Sequence, residues 1–331
     1  MAAKPRVAVT RLIPEAGLDL LRPRCDVQVW EGDLPPSGDE LHALLDGADA
    51  ALTLLTEKID GALLDQHPTI RVVSNFAVGF DNVDVDAATA RGVAVCNTPG
   101  VLTAATAEFA FTLLMSASRR VVEAATYVRD GKWRTWGPKL LLGQDIVGAT
   151  LGIVGFGRIG KELAGMATGF KMTILANDAY EDPSAEADYG MTYVELDDLL
   201  ARSDFVSLHV ALTPETHHLI STRKFGIMKS TAVLINAARG PVVDTDALVT
   251  ALQNGDIFAA GLDVTDPEPL PADHPLVTLP NCIVVPHIAS ATVTTRDAMA
   301  ELAARNLLAV LDGETPEVIV NPEVLTSGSP A

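Results

Sequence analysis

The segment Leu151–Gly160, LGIVGFGRIG, joins an apolar strand pattern to three glycines in GxGxxG spacing. The helical pattern RIGKELAGMATGF begins inside it, so the glycines fall at a strand–turn–helix junction. In that context Gly155 permits a tight turn, Gly157 admits a phosphate close to the backbone, and Gly160 lets the helix pack on the strand. The junction predicts a Rossmann dinucleotide site with the pyrophosphate at the helix N-terminus. Outside this context the spacing would indicate only an ordinary turn.

Asp178 ends the next predicted strand, MTILAND, eighteen residues beyond Gly160. A carboxylate near that spacing accepts hydrogen bonds from the adenosine ribose hydroxyls of NAD, and its charge repels the extra phosphate of NADP. No Arg or Lys follows within the next several residues to bind a phosphate. The segment therefore favours NAD as the cofactor, although an Asp here also fits an ordinary surface turn.

Short β-branched runs alternate with amphipathic helical patterns on both sides of this junction. Such alternation predicts an α/β fold with two doubly wound parallel-sheet domains. The predicted strands are 6–10, 26–30, 50–55, 70–76 and 93–98 in the first series and 150–155, 172–178, 205–210, 232–237, 259–264 and 282–287 in the second. Between the two series, residues 102–129 contain no Pro or Gly and are predicted to form one long helix.

Composition excludes several classes of protein. The chain has 331 residues, 48% of them hydrophobic, which is enough for two domains with cores. A formal net charge of −19 disfavours nucleic acid and anionic membrane surfaces as partners. Cys25, Cys96 and Cys282 are scattered, no Cys/His/Glu cluster predicts a metal site, and no membrane-spanning run or signal peptide is recognisable. These features predict a cytoplasmic protein without a metal.

Three segments that follow predicted strands of the second series supply an Arg, a Glu and a His. They are NAARGPVVD (236–244), DPEPLPADHPL (266–276) and VVPHIAS (284–290). Ligands bind beyond the carboxyl ends of strands in open α/β sheets. There Arg239 can bind a carboxylate and polarise the adjacent carbonyl, and His287 can protonate the carbonyl oxygen. Glu268 can hydrogen-bond the other ring nitrogen and favour the protonated imidazole, so the set fits hydride transfer to a keto acid.

Six motifs occur in one order along nearly the whole chain. They are AVGFDNVDVDAATARGVAVCNTPG (77–100), TAATAEFAFTLLM (103–115), GIVGFGRIG (152–160), INAARGPVVD (235–244), AGLDVTDPEPLPADHPL (260–276) and PHIAS (286–290). With these motifs the chain resembles the D-isomer-specific 2-hydroxyacid dehydrogenases. Within that family it is most similar to the glyoxylate/hydroxypyruvate reductases, on the DVT-PEPLP-HPL stretch and the WRTWGPKLLLG loop (133–143).

The resemblance implies a set of site residues. The catalytic residues would be Arg239, Glu268 and His287. The substrate-binding residues would be Leu55 as an apolar wall, the backbone N–H groups of Val78 and Gly79 for the carboxylate, Arg239, Ser290, and Trp136 reaching from a partner subunit. The cofactor-binding residues would be Thr106, Gly155, Gly157, Arg158, Ile159, Gly160, Asp178, Ala211, Ala237 and Asp263, the last on the nicotinamide carboxamide.

The resemblance also implies a discontinuous domain organisation. A flavodoxin-like substrate-binding domain would comprise 1–99 and 289–331, and a Rossmann NAD-binding domain would comprise 100–288. The last helix, roughly 293–312, lies too far along the chain to complete the second sheet and is predicted to pack on the first domain.

Positions at which this sequence differs from related dehydrogenases narrow the class of possible substrates. Asn75 stands where phosphoglycerate dehydrogenases carry a phosphate-binding Arg, so a phosphorylated substrate is disfavoured. Phosphite dehydrogenases have Lys at the position of Val78, and formate dehydrogenases have Gln at that of Glu268. Ala211 replaces the usual Pro of the family.

We therefore expect an enzyme that reduces a small 2-keto acid, glyoxylate or hydroxypyruvate, to the D-2-hydroxy acid with NADH. A homodimer is expected because 102–129 and 132–143 carry apolar surface beyond what one domain covers. Two alternatives remain: a D-lactate or broad-specificity D-2-hydroxyacid dehydrogenase, and a NAD-sensing regulator that keeps the fold without the chemistry.

Overall fold

The computed structural model describes residues 3–326, which fall into two compact units. The first unit contains the chain up to Leu102 together with the chain from Ala291 onward, and the second unit is Thr103–Ser290. Each unit is built on its own parallel sheet. No helix within residues 3–326 is both long enough and apolar enough to cross a membrane.

Twelve strands occur in the described part of the chain. They are β1 (Arg6–Val9), β2 (Asp26–Val29), β3 (Ala50–Thr53), β4 (Val72–Asn75), β5 (Ala94–Cys96), β6 (Thr150–Val154), β7 (Thr173–Asn177), β8 (Met191–Tyr193), β9 (Phe205–Leu208), β10 (Val233–Asn236), β11 (Ala259–Leu262) and β12 (Cys282–Val284). Every predicted strand is present, usually one to three residues shorter at its ends. The short β8 was not predicted, because its three residues carry no apolar run of their own.

The α-helices of the same residues alternate with these strands. They are α1 (Glu15–Leu21), α2 (Gly38–Leu45), α3 (Gly61–Gln66), α4 (Val85–Ala90), α5 (Thr103–Ser118), α6 (Val121–Arg129), α7 (Arg158–Thr168), α8 (Ala185–Tyr189), α9 (Leu196–Arg202), α10 (Thr222–Phe225), α11 (Thr245–Asn254), α12 (Pro275–Thr278), α13 (Val293–Leu311) and α14 (Glu323–Thr326). Side-chain caps begin several of them, as where Asp60 accepts from the N–H of Leu63 and Asp244 from that of Ala247.

The two sheets have the predicted topologies. The first sheet has the order β2-β1-β3-β4-β5, which is flavodoxin-like, and the second has the order β12-β11-β10-β9-β6-β7-β8, which contains the Rossmann arrangement. All strand pairs in both sheets are parallel. Central strands such as β3, β4, β9 and β10 are buried at every position, because helices cover both faces. The predicted α/β class is therefore confirmed.

The last long helix belongs to the first unit, as predicted. Helix α13 packs on α1 and on β3, β4 and β5. Gly17 of α1 makes the close approach possible, since a Cβ atom there would lie 2.7 Å from the carbonyl oxygen of Ala300. Eight residues of α13 are buried, so the C-terminal part of the chain completes the core of the unit that the N-terminal part begins.

The prediction of one helix over 102–129 is wrong. Helix α5 ends at Ser118 and α6 begins at Val121, with Arg120 between them in the left-handed conformation at φ 55°. The N–H of Gln144 donates to the carbonyl oxygen of Ser118 at 2.9 Å, where a continuous helix would place an N–H four residues further on. Arg120 also forms an ion pair with Glu123 in the first turn of α6, and this pair stabilises the start of that helix. The tertiary contact therefore outweighs the helical propensity of a run without Pro or Gly.

Candidate active site

The predicted site residues of the second unit collect beyond the carboxyl ends of its strands. Each of the following lies in the loop after the strand given: Asp178 after β7, Ala211 after β9, Ala237 and Arg239 after β10, Asp263 after β11, and His287 after β12. Because these strands are all parallel, their loops emerge at one edge of the sheet. The strand order reverses between β6 and β9, and the glycine loop leaves β6 at that switch point.

The glycine loop has the geometry of a phosphate cradle. Gly155 has φ 94°, and a Cβ atom on it would lie 2.6 Å from the carbonyl carbon of His209. A Cβ atom on Gly160 would lie 2.4 Å from the carbonyl oxygen of Gly155. No atom lies within 4 Å of the position of a Cβ atom on Gly157, just before the first residue of α7. The backbone is thus bare where a pyrophosphate approaches a helix N-terminus, and the residues fit a dinucleotide.

Asp178 is fixed by two backbone donors. Its carboxylate accepts from the N–H of Phe156 at 2.6 Å and from the N–H of Tyr180 at 2.9 Å. Lys161 on α7 forms an ion pair with Asp182, and this hydrogen bond is the main reason that the pKa of Asp182 falls to about 2. The acidic group predicted to contact the ribose is therefore tied to the glycine loop, and the nearby lysine is engaged by another carboxylate.

The remaining predicted cofactor residues line the same unit. Thr106 is buried in α5. Ile159 in α7 and Ala237 after β10 are half-buried and pack on one apolar cluster. Ala211 is exposed after β9, and its carbonyl oxygen accepts from the hydroxyl of Thr216 at 2.7 Å, so the loop is closed there without the family's usual proline.

His287 and Glu268 form a direct pair, as predicted. The Nδ1 atom of His287 lies 2.6 Å from the Oε1 atom of Glu268, and the other carboxylate oxygen accepts from the N–H of Thr265 at 3.3 Å. Partial burial works against ionisation of Glu268, but the hydrogen bond and charge of His287, with a smaller contribution from Arg239, lower its pKa overall. Glu268 is therefore a carboxylate at neutral pH.

The backbone around His287 is held by Asp263. The N–H of His287 donates to the carbonyl oxygen of Asp263 at 2.8 Å, while the Asp263 carboxylate accepts from the N–H groups of Ile288 at 2.7 Å and Ala289 at 3.0 Å. His287 has φ 53°, which is costly for a residue with a Cβ atom and persists only where neighbours enforce it. Burial raises the pKa of Asp263, and the two backbone donors oppose that rise. Beyond the predicted nicotinamide contact, Asp263 thus fixes the histidine loop.

Arg239 lies in the loop after β10, which packs against the loop that carries Glu268. The Asn236 side chain donates to the carbonyl oxygen of Arg239 at 2.8 Å and accepts from the N–H of Ala238 at 3.0 Å. Gly240 follows, and a Cβ atom there would lie 1.9 Å from the carbonyl oxygen of Thr265. Only glycine lets the arginine loop pack against the loop that carries Glu268. The second unit therefore brings the three predicted catalytic residues together, with Ser290 at its end.

Three predicted substrate residues belong to the first unit. Leu55 follows β3, and Val78 and Gly79 follow β4, at the carboxyl edge of that sheet. Sequence reasoning missed the role of two buried amides beside them. It considered Asn75 only as the position of an Arg in phosphoglycerate dehydrogenases, and it gave no role to Asn97 inside the motif 77–100. Trp136 is 78% exposed in the loop between α6 and β6, so its indole is not enclosed by this chain.

Metal ligands do not cluster in the part of the chain that the structure describes. No group of three or more His, Cys, Asp or Glu residues within 3–326 has an arrangement that could hold an ion. The three cysteines are free thiols, two of them buried.

Comparison with known proteins identifies the family. Residues 111–289 match the model of the D-isomer-specific 2-hydroxyacid dehydrogenase NAD-binding domain. The chain belongs to this family. Among its relatives, a glyoxylate reductase of Korarchaeum cryptofilum is 50% identical over 323 residues, covering 97% of each chain. As a dehydrogenase of this family, the chain uses a nicotinamide cofactor.

Solved structures agree with this assignment. The TT0316 protein of Thermus thermophilus has a TM-score of 0.90 and 47% identity, covering 95% of this chain and 99% of its own. An NADPH-dependent glyoxylate/hydroxypyruvate reductase of Sinorhizobium meliloti, solved with NADP and malonate, has a TM-score of 0.86 and 33% identity, covering 96% and 97%. The two-domain α/β architecture is thus common to this dehydrogenase and its relatives.

Two glycine substitutions in the loop of this dehydrogenase should have different effects: one should weaken NADH binding, and the other should lower thermal stability. Gly157→Ala adds a methyl group to open space, so thermal stability should stay close to wild type while the Kd for NADH, measured by fluorescence titration, rises about tenfold or more. Gly160→Ala places its methyl group against the carbonyl oxygen of Gly155 and should lower the Tm by several degrees, as overpacking does. Unchanged NADH affinity in Gly157→Ala would contradict the assignment of the cradle.

Proposed function

We propose that the protein reduces a small unphosphorylated 2-keto acid, glyoxylate or hydroxypyruvate, to its D-2-hydroxy acid with NADH. The observation that carries the proposal is the 2.6 Å contact between His287 and the ionised Glu268, next to the arginine loop packed through Gly240. The names of the relatives, glyoxylate reductase and glyoxylate/hydroxypyruvate reductase, support the choice of substrate.

The cofactor supplies a hydride when it is bound, and the chain's own residues prepare the acceptor. The residues that would hold the cofactor are Thr106, Gly155, Gly157, Arg158, Ile159, Gly160, Asp178, Ala211, Ala237 and Asp263. Arg239 binds the carboxylate of the keto acid and withdraws electron density from the neighbouring carbonyl. Within the first unit, the backbone N–H groups of Val78 and Gly79 are the proposed donors to a substrate carboxylate and Leu55 is the proposed apolar wall; within the second unit, Ser290 is a further proposed substrate residue.

His287 gives the proton that the product hydroxyl needs. Its Nδ1 atom faces Glu268, so the other ring nitrogen, Nε2, is the atom that delivers the proton to the carbonyl oxygen. The negative charge of Glu268 favours the imidazolium, which is the form required for reduction. Oxidation of the hydroxy acid needs the neutral ring as a base, so the two directions should respond to pH in opposite senses.

The preference for NADH rests on charge at the adenosine end. Asp178 is held beside the glycine loop, where its carboxylate accepts from ribose hydroxyls and repels a phosphate. Lys161 is paired with Asp182 and therefore does not offer an uncompensated cation to the phosphate of NADPH. Because such a reaction draws on the cell's supply of reduced cofactor, we also assign the protein to the cytoplasm.

A homodimer is part of the same proposal. Helix α6 has no buried residue, and Val121, Val122 and Val128 on it are each about half exposed. The loop that follows exposes Trp133 and Trp136. A groove beside α6 is lined by apolar and polar side chains: Ala117, Arg120, Glu123, Phe258, Pro280 and Ile283. A second copy seated on this face would cover the apolar surface and place Trp136 near the partner's site.

Steady-state assays test the activity. NADH oxidation should be fastest with glyoxylate or hydroxypyruvate, slower with pyruvate, and less efficient with NADPH than with NADH. His287→Ala should lower kcat by about 10²–10⁴, the usual loss for a general acid. Substitution of the unrelated His42 should leave kcat unchanged. Absence of turnover with all three keto acids would overturn the proposed function, and a higher kcat/KM for NADPH would overturn the cofactor preference.

The pH dependence of reduction tests the role of Glu268. For the wild type, kcat/KM for glyoxylate should fall as the pH rises, because the reduction takes up a proton through His287. Glu268→Gln keeps a hydrogen-bonding side chain but removes the charge that favours the imidazolium, so its profile should move to lower pH. Glu301→Gln, which removes an exposed carboxylate paired with Arg305, is the control and should not move the profile. Superimposable wild-type and Glu268→Gln profiles would show that Glu268 has another role.

Light scattering tests the dimer. The wild type should have about twice the chain mass of 34.9 kDa at micromolar concentration. Val122→Glu puts a charge on the exposed face of α6 and should give the monomer mass, whereas Leu34→Glu, at an even more exposed apolar position of the first unit, should leave the dimer intact. A wild-type monomer at this concentration contradicts the proposal.

A further inference from the structure

The two peptide groups of Ala77–Val78–Gly79 are held by their carbonyl oxygens. The carbonyl oxygen of Ala77 accepts from the N–H of Thr98 at 2.8 Å. The carbonyl oxygen of Val78 accepts from the side-chain amide of Asn97 at 2.7 Å. Asn97 is 6% exposed and Thr98 is fully buried, so both donors belong to the interior of the first unit.

A trans peptide points its N–H opposite to its carbonyl group. When the carbonyl groups of Ala77 and Val78 face residues 97 and 98, the N–H groups of Val78 and Gly79 must therefore point the other way. Within residues 3–326 neither of these two N–H groups donates a hydrogen bond, although both residues are only partly exposed. Two adjacent donors thus share one direction and lack an internal acceptor, which is the arrangement that a carboxylate requires.

We propose that Asn97 is a positioning residue for the substrate, whose buried amide turns the Val78–Gly79 peptide so that its N–H faces the substrate carboxylate. This inference rests on the proposed function, in which these N–H groups bind the keto acid. In this role Asn97 acts on the substrate through the backbone, by its hydrogen bond to the carbonyl oxygen of Val78.

A second buried amide, that of Asn75, also orients the loop after β4 by hydrogen bonds. The Asn75 side chain donates to the carbonyl oxygen of Gly79 at 2.9 Å and to the Oδ1 atom of Asn82 at 3.1 Å. Asn82 in turn donates to the carbonyl oxygens of Leu54 and Glu57, both at 2.9 Å. The network therefore joins the loop after β4 to the loop that carries Leu55, and the carboxylate-binding peptides and the apolar wall are positioned together.

The 3% exposed carboxylate of Glu57 anchors the far end of the network. Its Oε2 atom accepts from the N–H of Leu54 at 2.8 Å and from the hydroxyl of Thr10 at 2.6 Å, and its Oε1 atom accepts from the hydroxyl of Thr56 at 2.5 Å. A buried carboxylate is stable only when its oxygens are hydrogen-bonded, and these donors meet that need. The position of the Leu54 peptide therefore depends on charge-assisted bonds inside the first unit.

The chemistry explains why the amide is required at position 97. An amide N–H donates to a carbonyl oxygen without carrying charge. An Asp at this place would accept only, would face the carbonyl oxygen of Val78 unfavourably, and would add a negative charge beside the site for a substrate carboxylate. An Ala would release the carbonyl group and let the peptide rotate.

The test compares Asn97→Ala with Asn321→Ala. Asn321 is an equally buried amide of the first unit, 1% exposed, whose bonds run to Val93, Val95 and Thr89 and not to the substrate loops. In Asn97→Ala the KM for glyoxylate should rise about tenfold, with kcat within about threefold of wild type, because carboxylate binding is weakened and the proton transfer residues are intact. The KM for NADH should not change. Asn321→Ala should lower the Tm without raising the KM for glyoxylate.

Titration of the NADH-bound protein with oxamate, a carboxylate that cannot be reduced, supplies a readout independent of turnover. Its Kd should rise in Asn97→Ala by the same factor as the KM and stay constant in Asn321→Ala. Asn97→Ser, with a hydroxyl too short to reach Val78, replaces Asn97→Ala should the latter fail to fold. Wild-type affinity for glyoxylate and oxamate in a folded Asn97 variant overturns the inference. An inert wild type overturns the proposed function, and the oxamate titration then still decides the role of Asn97.

Discussion

The backbone ladder between β6 and β9 is the interaction on which the site of the second unit depends. It continues past the strand ends, where the N–H of His209 donates to the carbonyl oxygen of Val154 at 2.7 Å. Here the strand order of the sheet reverses, and Gly155 turns away at φ 94° where the backbone of His209 occupies the space of a Cβ atom. The cradle of the glycine loop is thus a consequence of strand pairing at the switch point.

The fold was accessible from the sequence because its elements are local. Alternating β-branched and amphipathic runs fixed the strands to within a few residues, and parallel pairing placed their loops at one edge. The break at Arg120 was not accessible, since it depends on a hydrogen bond between Gln144 and Ser118 that no local pattern announces. Propensity describes a segment in isolation, whereas this helix end is determined by a loop that arrives later in the chain.

The residues of the candidate site also fall into two groups, those that the sequence reveals and those that only the structure reveals. The roles proposed for Arg239, Glu268 and His287 came from chemistry and resemblance, and the structure places these residues on three loops of one sheet edge. The residues that position these side chains were harder to recognise, because they act on neighbouring backbone and not on a substrate. Asp263 orients the loop of His287 through backbone donors, and Gly240 acts by having no side chain. Such roles need the distances between groups, which a sequence does not contain.

The asparagines of the first unit have a consequence for chemical ageing. Side-chain amides hydrolyse slowly to carboxylates, and Asn is counted among the thermolabile residues. At Asn97 or Asn75 that change would remove a donor from a carbonyl oxygen and add a buried negative charge next to Val78 or Gly79. An old or heated sample would then lose affinity for anionic substrates while its sheets remained folded.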